Sequence, residues 1–247
     1  MNILFLGYGK MGSILAQRLD GQIKIIRRSS QDNFPKNYQA DLVFLCIKPQ
    51  GAEKILAEFS RRKFFHKNTI FISILAGKKI AFFEKIFGKK AKIIRSMPNL
   101  PIQYLEGIFA YLYNKNISKS EVKNLEKIFQ NFGEIIALKN EKDFDAITAI
   151  FGSGPAYIFL LQEIFEKIAV SFGITSSAKL VKKLFLGSAL MAESATENFA
   201  KLRQSVTSKN GTTEAALKIL QKNSVLEKLF KKSVNAAIAK SKKLSKE

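Results

Sequence analysis

The chain's apolar pattern predicts an α/β fold: a doubly wound, mainly parallel sheet followed by an all-helical segment. Three observations carry this expectation. Strand-like and helix-like runs alternate from Met1 to about Leu138. A glycine turn, Gly7-Tyr8-Gly9-Lys10-Met11-Gly12, joins the first apolar run to the first helical pattern. Strand signals stop after Glu141, and helical spacing takes over. The expected division is residues 1–150 for the sheet and 151–247 for the helices.

Each element has its own signal. Asn2–Leu6 is apolar and runs into glycine, as a buried strand does. Residues 12–19 place Ile14, Leu15 and Leu19 on one helical face. Residues 23–26 read as a second strand. Residues 41–47 read as a third, nearly all apolar as in strands covered on both faces, closed by Lys48-Pro49. Ala52, Ile55, Leu56 and Phe59 recur as the stripe of an amphipathic helix. His66, in Lys63-Phe64-Phe65-His66-Lys67, reads as a surface histidine at a helix end. A strand over 69–75, closed by Ala76-Gly77, precedes a short helix over 80–87 and strands over 92–95 and 108–113. Ser118 and Glu121 form a capping box, and Val122, Leu125, Phe129 and Phe132 form the buried stripe of the helix it opens. Gly133 ends that helix, and 134–138 is the last strand. Pro155 suits a helix start and Gly173 its end, and residues 156–170 between them are apolar on nearly every face. Too few residues remain to cover such a helix, so the C-terminal helices are expected to pack against another copy. Helices over 177–194, 213–221 and 225–240 follow.

The bulk numbers exclude some functions. With 247 residues, 47% of them hydrophobic, the chain can bury a large core. The net charge of +21 invites a nucleic-acid partner, yet the lysines are dispersed. No basic run is interleaved with aromatics as in an RNA-binding sheet, so no nucleic acid is expected. One cysteine, Cys46, and one histidine leave no internal disulfide, zinc cage or histidine-based triad to assemble. No signal-peptide pattern opens the chain. The longest uncharged stretch, 146–162, is broken by Gly152-Ser153-Gly154-Pro155, falls short of a membrane span and reads as buried structure. A cytoplasmic protein with no membrane contact is the expectation.

Two places carry chemistry. Gly7, Gly9 and Gly12 fit the dinucleotide pattern: the first permits a tight turn, the second admits a pyrophosphate, and the third lets the helix pack close. Asp or Glu usually follows about 20 residues on to hold a ribose 2′-hydroxyl. Here Arg27, Arg28 and Ser29 stand at the end of the second strand, which favours NADPH with NADH as the alternative. At the other end, Ser208-Lys209-Asn210-Gly211-Thr212-Thr213 runs into a helix beginning near Thr213. Its N–H groups and positive end attract a carboxylate. Gly211 allows close approach, and Thr212 or Thr213 can hydrogen-bond a substrate.

Three more segments stand between these two, in order: Lys48-Pro49, Arg95-Ser96-Met97-Pro98-Asn99-Leu100-Pro101 and Gly152-Ser153-Gly154-Pro155-Ala156-Tyr157. On this set the chain resembles the pyrroline-5-carboxylate reductase family over residues 2–244. The resemblance implies a Rossmann domain followed by a helical dimerisation domain. It implies reduction of 1-pyrroline-5-carboxylate to L-proline with NAD(P)H, in proline biosynthesis. It also implies a homodimer, often assembled into decamers, with the active site between two chains. By position it implies that Leu6, Gly7, Tyr8, Gly9, Lys10 and Met11 carry the pyrophosphate and that Asn33 lies near the adenosine ribose. Cys46, Ile47 and Lys48 would line the ribose and nicotinamide, with Ala76, Met97, Pro98 and Asn99 near the nicotinamide. Thr213 matches the threonine that bonds the imine nitrogen, and Ser208, Gly211 and Thr212 match the carboxylate-holding loop.

The chemistry suits a chain without a candidate histidine, because a basic imine arrives already protonated and needs positioning more than an acid. The family loop usually reads Ser-Pro-Gly-Gly; here Lys209 and Asn210 replace Pro and Gly. Asn210 tolerates a left-handed conformation, so the turn is expected to survive, and Lys209 is expected to add positive charge beside the substrate carboxylate. Two other readings stand beside this one. One is a related dehydrogenase with a lysine acid on its helical domain, against which Lys179, Lys182 and Lys183 look like an ordinary helix face. The other is a nucleotide-sensing or nucleic-acid-binding protein, against which the dispersed lysines speak.

Overall fold

The computed structural model describes residues 1–26 and 38–244. The chain forms two compact units, Met1–Pro155 with Ala236–Glu247, and Ala156–Asn235. In the first unit the elements run β1 (Asn2–Leu6), α1 (Lys10–Gln17), β2 (Gln22–Ile26), β3 (Ala40–Leu45), α2 (Ala52–Arg61), β4 (Phe65–Ser73), α3 (Ile80–Phe87), β5 (Lys92–Pro98), β6 (Gly107–Tyr113), α4 (Lys119–Phe129), β7 (Gly133–Ala137) and α5 (Asp143–Ile147). Then come α6 (Gly154–Ser171), α7 (Ser177–Ser194), α8 (Phe199–Ser205), α9 (Thr212–Gln221) and α10 (Val225–Leu244).

The seven strands form one sheet in the order β2-β1-β3-β4-β5-β6-β7. All neighbours are parallel except β5 and β6. Alternating side chains fill two separate cores. Ile3, Phe5, Leu42, Phe44, Ile70 and Ile72 pack with Ile14 and Leu15 of α1 and with Val122, Leu125 and Phe129 of α4. Leu4, Leu6, Val43, Leu45, Phe71 and Ile93 pack with Leu56 and Phe59 of α2 and Phe83 of α3. Helices therefore cover both faces, as a parallel sheet requires. The Ser118–Glu121 capping box is present in full.

Three local expectations need correction. His66 lies in β4, not at a helix end: Lys63 turns at φ 52° after α2, and Phe65 then begins the strand against Phe59, Phe71 and Phe87. Ile55 of the expected α2 stripe is exposed, whereas Ala52, Leu56 and Phe59 are buried. The stretch 146–162 is not broken, and within the single chain only its Ala149 is buried. A helical run extends over Asp143–Ser171, with only a bend at Ser153. Residues Thr148–Gly152 form a π-helical turn, closed by Ser153 N donating to Thr148 O at 2.9 Å. Pro155 has no N–H for the carbonyl of Phe151 four residues back. Asn99 Nδ2 donates to that carbonyl instead, at 3.2 Å. The sequence Gly-Ser-Gly-Pro is thus accommodated inside a helix. By length and composition this run is sufficient to cross a membrane, and α6 has no buried residue.

Candidate active site

The glycine turn sits where the strand order reverses. β1 lies between β2 and β3, so crossovers leave it to both sides and open a crevice at the strands' carboxyl ends. Gly7 N donates to Ile26 O at 2.9 Å, and Cys46 N donates to Leu6 O at 2.8 Å. Gly7 has φ +93°, and a Cβ there would lie 2.7 Å from Cys46 O, so glycine is required twice over. Gly9 is the reverse: no heavy atom lies within 4 Å of where its Cβ would point. At Gly12 a Cβ would come 3.1 Å from both Cys46 Cβ and Gly7 O, which marks the close packing of helix on strand. Leu6 is buried, Tyr8 and Met11 are half-buried, and Lys10 is exposed at the first position of α1. The first turn of α1 holds no acidic residue, and its leading N–H groups lack intrahelical acceptors. An open backbone face, a tight turn and a positive helix end together fit a pyrophosphate.

The neighbouring strand ends extend this crevice. Ile47 Cγ2 would stand 3.0 Å from a Cβ on Gly7, and Lys48 is exposed. The Cys46 residue is partly exposed, but its sulfur lies inward beside Gly12, and burial pushes the thiol up. It is a space-filling group, not a nucleophile. Ile74 N donates to Leu45 O at 3.2 Å, which brings the turn holding Ala76 beside the end of β3. Met97 and Pro98 end β5, the next strand along. Asn99 is buried and bonded through both amide atoms: beyond Phe151 it accepts Ile108 N at 2.8 Å. Its amide joins backbone segments together. Arg27, Arg28, Ser29 and Asn33 lie outside the described residues.

The loop before α9 belongs to the second unit. Ser208, Lys209, Asn210 and Gly211 form a turn closed by Gly211 N donating to Ser208 O at 3.1 Å. Asn210 takes the left-handed position at φ 59°, as the substitution for glycine demanded. A Cβ on Gly211 would lie 2.3 Å from Ser208 Oγ and 3.1 Å from Ser208 O. Helix α9 starts at Thr212, and the N–H groups of Thr212, Thr213 and Glu214 occupy its first turn, where no intrahelical acceptor exists. Lys209, Thr212 and Thr213 are exposed. The end of this helix therefore presents free donors and a threonine hydroxyl side by side.

Three residues of these sites escaped the sequence. Glu214 accepts Asn210 N at 2.5 Å and pairs with Lys218 at 3.4 Å. The Asn210 N–H first, then Lys218, hold its carboxyl below the ordinary range. Its signal was present: a Glu three residues after a helix cap reaches back to loop N–H groups. Arg95 is buried in β5, and its guanidinium is 3.2 Å from Glu141 and 4.2 Å from the Phe144 ring centroid. Desolvation pulls its pKa down, against Glu141 and Asp145. An arginine within an apolar strand announces a partner, but no spacing rule points to Glu141.

A doubly wound sheet with a glycine turn at its switch point, followed by a helical segment, defines a dinucleotide-dependent oxidoreductase of the Rossmann class. Residues 141–244 match the family model for pyrroline-5-carboxylate reductase dimerisation. The pyrroline-5-carboxylate reductase of Pseudomonas aeruginosa is 33% identical over 208 residues, 83% of this chain and 75% of that protein. The solved pyrroline-5-carboxylate reductase of Coxiella burnetii is 32% identical with a TM-score of 0.88, covering 99% of this chain and 98% of that one. The Plasmodium falciparum pyrroline carboxylate reductase, solved with NADP bound, is 29% identical with a TM-score of 0.86, covering 99% and 98%. The chain belongs to the pyrroline-5-carboxylate reductase family.

Proposed function

We propose that this chain reduces 1-pyrroline-5-carboxylate to L-proline with NAD(P)H, as a step of proline biosynthesis. The observation that carries the reading is the coexistence of two half-sites of matched chemistry in a member of this family. One is the open Gly9 face over α1. The other is the cluster of free N–H groups and hydroxyl at α9.

Leu6, Gly7, Tyr8, Gly9, Lys10, Met11 and Gly12 would hold the pyrophosphate on backbone N–H groups. Cys46, Ile47, Lys48, Ala76, Met97, Pro98 and Asn99 would line the ribose and nicotinamide. The bound cofactor supplies a hydride to the imine carbon. The chain's own residues do the rest. In the 208–212 loop Asn210 and Gly211 shape the turn, while the Ser208 hydroxyl, the Thr212 N–H at the helix end and the Lys209 charge hold the substrate carboxylate. The Thr213 hydroxyl holds the protonated imine nitrogen. As the C=N electron pair settles on that nitrogen, the proton already there makes it a neutral amine, so no protein acid is consumed. Positioning is the main contribution. We read Arg27, Arg28 and Ser29 as a 2′-phosphate site, which favours NADPH.

The apolar run Asp143–Ser171 is read as the inner face of a homodimer and not as a membrane span, because it falls within the segment matched to the dimerisation model. The test is loss of NADPH absorbance with and without 1-pyrroline-5-carboxylate, for wild type and Thr213→Ala. Deleting one hydrogen bond to a charged group predicts a fall of about ten- to a hundredfold in kcat/KM. The circular dichroism spectrum should not change. A wild-type rate in Thr213→Ala removes that residue from its role, and no oxidation by wild type removes the function.

A further inference from the structure

Glu141 fastens two segments of the first unit to one atom. Its Oε1 accepts Ile80 N at 2.8 Å and Arg95 Nη1 at 3.2 Å. Ile80 begins α3, just after the turn that contains Ala76. Arg95 lies two residues before Met97 on β5. The other ends of these segments are also tied together: Ser96 Oγ donates to Ser73 O at 3.0 Å, and Leu75 N donates to Ser73 Oγ at 3.2 Å. Arg95 cannot drift, since it is 3% exposed and its guanidinium lies against Phe144. Behind it, Asp145 accepts Ser241 Oγ at 2.6 Å, which ties in the last turn of α10.

Resting on the reading of Ala76 and Met97-Pro98-Asn99 as the nicotinamide side, we propose that Glu141 is a positioning residue for the reduced cofactor. It fixes the separation of the 76–80 turn and the 97–99 segment, and thereby the slot between them, while touching no ligand itself. A carboxylate suits this task because one oxygen can take a backbone N–H and a guanidinium N–H together, and charge-assisted bonds are short and directional.

The experiment measures NADPH binding to the full chain by calorimetry, together with KM for NADPH and for 1-pyrroline-5-carboxylate. Glu141→Ala is expected to weaken NADPH about tenfold, equivalent to about 1.4 kcal/mol, and to leave the other KM within about twofold. Glu141→Gln keeps an acceptor oxygen for both donors and should recover most of that loss. Glu141→Ala leaves Arg95 as a buried, unpaired cation, which endangers folding. The double variant Arg95→Met/Glu141→Met avoids this: the apolar pair can pack, while Ile80 N still loses its anchor. The same loss of NADPH affinity is expected there. Unchanged affinity in the folded double variant, or a parallel rise of both KM values, overturns the proposal. A wild-type chain that binds no NADPH refutes the underlying functional reading instead, before any variant is made.

Discussion

β3 and α6 are both written in apolar residues, and their fates differ. Leu42, Val43, Phe44 and Leu45 are buried completely or nearly so, because β3 has strands on both edges and helices over both faces. Helix α6 buries none of its residues, and Phe159 is 62% exposed. Exposed apolar faces of this extent mark an interaction surface. Apolar patterning marks surface that needs cover, and the chain alone supplies that cover only for the sheet. The family's dimerisation segment is the part left uncovered.

Two substitutions test this contrast. Phe44 is fully buried and stacks on Phe5 at a centroid distance of 4.8 Å. Phe44→Ala should lower stability by about 3–5 kcal/mol, through lost burial and the cavity left behind. Urea unfolding followed by circular dichroism should return the same loss at every protein concentration. A loss below about 1 kcal/mol would mean that the sheet core is not self-sufficient. Phe159→Glu should leave the single chain's secondary structure as it is. It should weaken the dimer by about 1.5–3 kcal/mol, roughly ten- to a hundredfold, in sedimentation across a dilution series. If association is untouched, that face of α6 lies outside the interface.

The same contrast explains what the sequence made legible. Period and punctuation identified every strand of the sheet and the α4 capping box, because those signals are local. The helix through Thr148–Gly152 was hidden, since Gly152, Gly154 and Pro155 announce a break. What rescues the helix is remote: Asn99 takes the carbonyl that Pro155 cannot serve. Arg95 and Glu141 were hidden for the same reason, being 46 residues apart in the chain. The glycine turn and the α9 loop were legible because backbone conformation is set where glycine and asparagine stand. The close approach of Cys46 O to Gly7 was not, being remote in the chain, whereas Glu214 stands at a readable distance after the Gly211 cap.

A smaller effect sharpens the sheet side. Glu121 accepts from Ser118 N at 2.9 Å and from Lys92 Nζ at 2.5 Å, locking α4 to β5. Lys92 first, then the Ser118 N–H, hold its carboxyl below the usual range. A depressed folded-state pKa contributes stability above the unfolded value of about 4.3, and that stability is lost as pH falls through the folded value. Glu121→Gln should therefore cost about 1 kcal/mol at neutral pH. The deficit should shrink on acidification below about pH 4.3 and vanish once wild-type Glu121 is protonated. A deficit that is constant with pH would assign the effect to packing and not to charge.

The smallest effect belongs to the α9 loop, the part of the second unit that organises itself without a partner. Its turn is closed by Gly211 N and Ser208 O, with Asn210 at φ 59° in the third position. A turn of this kind, with positive φ at the third residue, accepts proline at the second. Lys209→Pro therefore removes a charge while keeping the geometry. If Lys209 draws the substrate carboxylate, KM for 1-pyrroline-5-carboxylate should rise about two- to fivefold with kcat little changed, a size typical of an exposed charge. Added salt should raise the wild-type KM toward that of the variant, because the attraction is screened. If KM is equal in both at low salt, the N–H groups of the loop and helix hold the carboxylate alone, and Lys209 is only the residue that happens to fill a proline's place.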